Sequence, residues 1–430
     1  MSTMRLIRII VLVPLGAACR SPAPGLELGK AEVLSAHTGV GAAPMVALSP
    51  GGARTVAWVS APDGGADGRL YVSTNGAPVS ELRDSLGGIE PHGEAPPKLA
   101  YASDGRLLGL YAVGKLVEGR RFPFTTLRLA ESRDGGVTWS TPRTVTGDST
   151  PGSRNFHALH VDNRGSVYVS WLESRDERKS GSYITRSDDS GLTWSPAVRV
   201  EIGEACPCCR TAIATGPAGE MYLAWRTVMP GSVRDIVVAR SVDRGATWSA
   251  PVRVHADDWV FEGCPHAGPS MQVDARGRLH IMWWTGREGA AGVYYARSDD
   301  GAKSFGHVTP LGVAPFARPA HGQLALEGDS TVVAAWDDAR SALPRVTVRV
   351  SRNGGDDFGA EQVLSDTAVA ATFPVLGLQD GNVTVAWSEQ TQQATAHAEH
   401  VRPDMKDPAS RKQLPTVGEQ RVLVRKGRLR

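Results

Sequence analysis

The chain has 430 residues, of which about 41% are hydrophobic, with 47 basic against 45 acidic side chains. The apolar fraction excludes an intrinsically disordered chain, and the lack of a basic surplus argues against a nucleic-acid partner. No apolar run in the body reaches the roughly 18 residues that a membrane-spanning helix needs.

At the N-terminus, Arg5 and Arg8 precede the apolar run Ile9 to Leu15, and Gly16-Ala17-Ala18-Cys19 follows it. A charged stretch, a short apolar core and small residues ending at a cysteine describe an export signal. The segment resembles a bacterial lipoprotein signal, in which Cys19 would be lipidated and become the first residue. It departs from that pattern because Leu15 lies one place too far from Cys19. The alternative is ordinary cleavage after Ala18. The expectation is a signal over 1–19, a tether over 20–27 and a protein that is exported, either lipid-anchored in the cell envelope or free in the periplasm or medium.

Composition points to strands: 48 Gly and 28 Pro leave little room for long helices, and 11 Trp outnumber the eight Tyr and eight Phe. Two internal repeats organise them. The first is Ser132-Arg-Asp134-Gly-Gly136-Val-Thr138-Trp139, which recurs at Ser187 to Trp194 and Ser241 to Trp248. Weaker copies run from Ser298 to Phe305 and Ser351 to Phe358, with a vestige at Ser73-Thr-Asn75-Gly76. Asp and Ser can bond the turn's own backbone, Gly takes the conformation other residues resist, and the aromatic ring fills the space beneath the sheet. The pattern resembles the Asp box, or BNR repeat, of the sialidase-like β-propellers. In that family the box is structural and lies between the third and fourth strands of a blade, on the face opposite the ligand site.

The second repeat is an apolar strand ending in Trp58, Tyr111, Trp171, Trp225, Trp283, Trp336 or Trp387. These positions lie 51 to 60 residues apart, the space that four short strands and their loops require. The expected fold is therefore an all-β, seven-bladed β-propeller over 28–404 with four-stranded antiparallel blades and Asp-box turns; six blades is the alternative. In the last blade Ala394 to Val401 would supply the third strand and Ala31 to Ser35, from the N-terminus, the fourth, which leaves no free sheet edge. Residues 405–430, rich in Arg and Lys, read as a solvated basic tail.

Loops leading into first strands would share one face, the top. Two neighbouring modules repeat the word E-[AG]-C-P-[CH] there, as Glu204-Ala-Cys206-Pro-Cys208 and Glu262-Gly-Cys264-Pro-His266. Cys206, Cys208, Cys264 and His266, with Cys209 in reserve, form a set of three thiols and one imidazole suited to zinc or copper. Because four cysteines remain once Cys19 is set aside, disulfides, Cys206 to Cys264 among them, are the alternative in an oxidising compartment. His92, His157 and His321 add imidazoles to the same face, and Glu204 and Glu262 are the carboxylates nearest the axis. Trp259 and Trp284 fall outside both repeats, in the module of Cys264 and His266, and mark a place to look for a ligand.

The sialidase resemblance implies an arginine clamp on a substrate carboxylate, for which Arg154, Arg210 and Arg318 are the candidates. The family's Phe/Tyr-Arg-Ile-Pro motif has no counterpart, and its nucleophilic Tyr with partner Glu is not identifiable, so the retaining mechanism lacks its nucleophile. Trp171-Leu-Glu173-Ser-Arg175 and Trp336-Asp-Asp338-Ala-Arg340 repeat with the blade and read as scaffold ion pairs. Three functions stay open: a top-face Cys/His metal protein, an exo-sialidase-type glycoside hydrolase, and a non-catalytic envelope platform. The partner expected is a small molecule, glycan or metal at the top face of a monomer, with membrane contact only through a lipid.

Overall fold

Seven antiparallel sheets follow one another along the chain, each a meander of short strands. The computed structural model describes residues 25–61, 67–115, 124–145, 153–174, 179–201, 203–390 and 420–430. Blade 1 is built from Val40–Leu48, Arg54–Ala61, Arg69–Thr74 and Ser80–Leu82, and blade 2 from Lys98–Tyr101, Leu107–Lys115, Phe124–Ser132 and Arg143–Thr144. Blade 3 comprises Ser153–Val161, Val167–Ser174, Gly181–Ser187 and Val198–Arg199. In blade 4 the first strand is broken into Glu204–Ala205 and Ala212–Thr215, ahead of Met221–Val228, Ile236–Ser241 and Val252–Arg253. Blade 5 takes Ser270–Val273, Leu279–Thr285, Ala291–Ser298 and Gly306–Ala314, and blade 6 Gly322–Glu327, Thr331–Asp338, Arg345–Ser351 and Gln362–Val363. First strands of successive blades touch one another all the way round, the seventh meeting the first, so the sheets close a ring around an axial channel.

The seventh blade corrects two boundaries. Its first two strands, Ala370–Gln379 and Asn382–Gln390, are followed by Gln420–Leu429 rather than by the expected Ala394 to Val401, which lies outside the described residues. The described part of the basic segment is thus a strand and not a solvated tail. Val422, Leu423 and Val424 fill the interior while Arg421 pairs with Glu389 at 3.0 Å and Arg425 bonds the carbonyls of Gly29 and Leu364. The lysine and arginine count concealed an apolar core of three residues. The N-terminus does close the sheet, with Glu32–Val33 on Leu423 and Val424, and Leu26–Leu28, partly assigned to the tether, on Gly427 to Leu429.

The repeat tryptophans 58, 171, 225, 283, 336 and 387 are buried in the blades, and Tyr111 takes the same position in blade 2. Each large ring removes some 150–250 Å2 from water, an upper bound of about 4–6 kcal/mol apiece at roughly 25 cal/mol per Å2. Several also find a polar partner for the indole N–H, such as Glu173 for Trp171 and Asp257 for Trp283.

The Asp boxes are self-contained turns. In the first, Ser132 Oγ accepts from Gly136 N at 2.7 Å, and Asp134 accepts from the Thr138 hydroxyl at 2.6 Å and the Thr138 amide at 2.9 Å. Those bonds, the hydroxyl's foremost, hold the Asp134 carboxyl down at about 2. The position of Gly136 (φ 94°) is occupied by Gly191, Gly245 and Gly355 in other boxes but by Ala302 in the fourth, where φ is 64°. An L side chain resists that conformation. Ala302→Gly is expected to raise unfolding stability by about 0.5–1 kcal/mol, the strain relieved exceeding the entropy that glycine adds to the unfolded chain; an unchanged urea midpoint would count against strain at this turn.

Candidate functional site

The break in the first strand of blade 4 holds three thiols. After Ala205 the chain leaves the sheet, turns through Cys206 to Arg210 and rejoins it at Ala212. Cys206, Cys208 and Cys209 are 0%, 4% and 0% exposed. The Cys206 sulfur lies 3.7 Å from that of Cys208 and 3.6 Å from that of Cys209. All three sulfurs fall within 4.8 Å of one another, and among the described residues no other group of three or more His, Cys, Asp or Glu side chains brings its ligand atoms that close. The chain therefore carries a three-cysteine cluster able to chelate a metal ion.

Two guanidinium groups serve the cluster. Arg234 donates to Cys206 Sγ at 3.0 Å and to the Phe261 carbonyl at 2.6 Å. Arg226 is fully buried and meets only carbonyls, those of Ala267, Trp284 and Arg234. The neighbouring Cys208 and Cys209 thiols, helped by the two arginines, lower the Cys206 pKa; contact with Cys206 raises that of Cys208, and burial raises that of Cys209. One thiolate flanked by two thiols results, with fixed positive charge beside it to offset the further anionic character that metal binding creates.

The expected four-ligand set is not what the fold assembles. Cys209 is a full member rather than a reserve, whereas Cys264 is exposed and His266 turns elsewhere, with Nδ1 on the Cys264 carbonyl at 3.0 Å. Phe156 packs against the three thiols and also against the His92 and His266 rings, at 5.4 Å and 6.2 Å, which keeps imidazole and sulfur apart. Cys206 and Cys264, one fully buried and one exposed, are not bridged. Glu204 pairs with Lys179 at 3.1 Å, Glu262 is exposed, and neither is among the residues that line the axial cavity. Cys19 lies outside the described residues.

An imidazole group does form at the axis, but with a different membership. His92 and His266 stand 5.7 Å apart, and His321 bonds the His266 carbonyl at 2.8 Å through Nε2 and Asp337 at 2.7 Å through Nδ1. Burial disfavours protonation of His321, but the Asp337 carboxylate outweighs it and raises the pKa; burial and the two neighbouring histidines lower that of His92. Both ring nitrogens of His321 are thus engaged. His157 belongs elsewhere: it is fully buried against blade 2, where desolvation and then the charge of Lys98 lower its pKa to about 3.

The three candidate arginines do not come together as a clamp. Arg154 pairs with Glu173 at 3.3 Å inside blade 3, Arg210 with Glu94 at 3.0 Å, and Arg318 is exposed and donates to the carbonyls of Ser341 and Ala342. Each guanidinium is engaged by its own surroundings. Asp338 and Arg340 do form a scaffold ion pair, whereas Glu173 pairs with Arg154, and Arg175 lies outside the described residues. Trp259 and Trp284 are buried, packed edge to face at 5.0 Å, with Arg226 5.3 Å above Trp259, so they brace the guanidinium instead of meeting a ligand.

Sequence reasoning missed Glu94, Lys98, Arg226, Arg234 and Asp337. Glu94 is fully buried and accepts from the Arg210 amide at 3.0 Å, the Arg210 guanidinium at 3.0 Å and the Gly268 amide at 2.5 Å. It ties loops of blades 2, 4 and 5 across the axis. A Cβ on Gly268 would collide with the Arg210 carbonyl oxygen, a measure of how closely those loops approach. Glu94→Gln leaves the guanidinium of Arg210 without its counter-charge and is expected to cost about 2–4 kcal/mol in urea unfolding; a cost below about 1 kcal/mol would show that the tie carries no weight.

A family model for the BNR repeat-like domain matches residues 89–261. No curated protein matches the sequence. Among solved structures, a Dyadobacter fermentans protein of unknown function is similar over 95% of this chain and 100% of its own, with 15% identity and a TM-score of 0.54. An ulvan lyase of polysaccharide lyase family PL25, bound to -[GlcA(1-4)Rha3S]-, is similar over 83% and 93%, with 13% identity and a TM-score of 0.57. The polysaccharide lyase Uly1 is similar over 91% and 90%, with 12% identity and a TM-score of 0.53. Identities this low speak for the fold alone: the chain is a seven-bladed β-propeller, of which residues 89–261 match the BNR repeat-like domain.

Proposed function

We propose that this protein is an exported metal-binding propeller that holds a soft cation, Zn2+ or Cu+, on Cys206, Cys208 and Cys209. The observation that carries this reading is the spacing of the buried sulfurs. Zinc bonded to sulfur at about 2.3 Å in a tetrahedron sets neighbouring sulfurs about 3.8 Å apart, against 3.7 Å and 3.6 Å here. Thiolates favour soft or borderline ions, and three of them leave the fourth position of a tetrahedral zinc to a further donor. The ion would pin the interrupted strand of blade 4, with Arg226 and Arg234 supplying charge compensation. Cys264 and His266 are not needed for it. The disposition of Arg154, Arg210 and Arg318 gives the exo-sialidase alternative no support.

Elemental analysis of protein purified without added metal, paired with a free-thiol count, tests the site. About one equivalent of zinc or copper is expected, lost in Cys206→Ser and Cys209→Ser and kept in Cys264→Ser and His266→Ala, with a lower Tm after chelation. Two disulfides and no metal would overturn the reading. For location, the leader over 1–19 supports export and a lipid on Cys19; radiolabelled palmitate is expected to mark the wild-type protein and not Cys19→Ala, and an unlabelled wild-type protein would point to ordinary cleavage after Ala18.

A further inference from the structure

The axial channel has a chemistry of its own. Residues from all seven blades line a cavity of about 130 Å3. That is close to the roughly 150 Å3 of an engineered protein cavity that accepts benzene. Met45, Met271, Phe373 and Val375 give it apolar walls. Its charged lining consists of Lys98 and Arg210, with no aspartate or glutamate among the residues that line it. A concave, largely apolar site with a few convergent polar groups is the usual form of a small-molecule site.

The two cations are not equivalent. Arg210 is held by Glu94 and by the Gly322 carbonyl at 2.7 Å. Lys98 makes no hydrogen bond or ion pair within 4 Å with any described residue, although it feels the charges of both Arg210 and Glu94. Glu94 has its oxygens occupied by Arg210 and Gly268, so one positive charge remains uncompensated in the channel. Gln323, whose carbonyl oxygen is fixed by the Leu376 amide at 2.9 Å, leaves its NH2 as a further donor in the lining. A partly buried ammonium with no partner among the described side chains is better accommodated when a counter-anion joins it.

We propose that the axial channel binds a small organic carboxylate, its oxygens on Lys98 and its apolar body against Met45, Met271 and Phe373. The site is independent of the thiol cluster and of any metal. Burial foremost, then the charge of Arg210, lowers the Lys98 pKa to about 7, with Glu94 opposing; His157, on the neighbouring blade, is held neutral and adds no charge. Lys98 is cationic below that pH and neutral above it, while a carboxylate remains ionised throughout. Binding is therefore strongest near pH 6 and weakens as pH rises through 7 and beyond.

Isothermal titration of the full chain with benzoate, benzamide and inorganic phosphate tests the proposal. Expected is saturable binding of benzoate at pH 6, at least tenfold weaker for neutral benzamide and at least tenfold weaker again at pH 9 than at pH 6. Lys98→Met should abolish benzoate binding. Lys98→Arg, whose charge does not titrate in this range, should retain it and lose the weakening at high pH, which a purely structural lysine would not produce. Metal content and benzoate binding are read separately, by elemental analysis and by titration of the same wild-type preparation, so failure of the metal reading leaves this one standing. Binding of phosphate but not benzoate, no saturable binding by the folded wild type, or a pH profile identical in wild type and Lys98→Arg would overturn it.

Discussion

The structure depends on a strand exchange between the two ends of the described chain. Leu26 to Leu28 pair with Gly427 to Leu429, and the Arg430 amide donates to the Gly25 carbonyl at 3.0 Å. A ring of sheets is stable only when no edge stays unpaired and every blade finds a neighbour on both sides. Leu26 does more than complete a ladder, since it is buried among Val346, Val348 and Trp387 and so joins blade 7 to blade 6. Once the ring is closed, first strands converge on one axis, and residues far apart in sequence, such as Glu94 and Gly268, become hydrogen-bond partners.

Regularity supplies the scaffold, and departures from it supply the chemistry. Three first strands carry a bulge at an equivalent place, with Ala43, Phe156 and Phe373 all at φ 54°. Bulges re-aim side chains. Here they send Phe156 between the thiols and the histidines, and Phe373 against His321 at 4.0 Å. The larger departure is the broken strand of blade 4, where Cys206 keeps one bond to the Arg226 carbonyl and the chain then leaves the ladder until Ala212. Thiols on one side of that turn and Arg210 on the other give a single interruption access to two different environments, one of sulfur and one of the channel.

Much of the fold was legible because repeats are written in residues whose roles are local. An Asp box states its own turn, and a Trp every fifty-odd residues counts the blades. Closure was half legible: Glu32–Val33 resembled other outer strands, but Val422 to Val424 were masked by the arginines and lysines around them. The site was legible as a cysteine-rich word and misread in detail. Cys206 and Cys264 share a register in sequence, yet the strand of blade 4 breaks there and that of blade 5 does not, so the loops diverge. Glu94, Arg226 and Lys98 left no motif, because their significance lies in what they meet across the axis or between blades.

The shared seventh blade also sets an order on how this protein can be made. Strands Leu26–Leu28 and Glu32–Val33 emerge first during synthesis but have no partner until Gln420–Leu429 has followed. Six blades can form as their own meanders while the chain is still growing, yet Leu26–Leu28 and Glu32–Val33 must wait for Gln420–Leu429. A chain cut short before residue 420 would present an open sheet edge at Asn382–Gln390 and loose apolar residues at its start. Such a molecule is a natural substrate for proteolysis or aggregation, so the same pairing that closes the ring acts as a check on whether synthesis has passed Leu429.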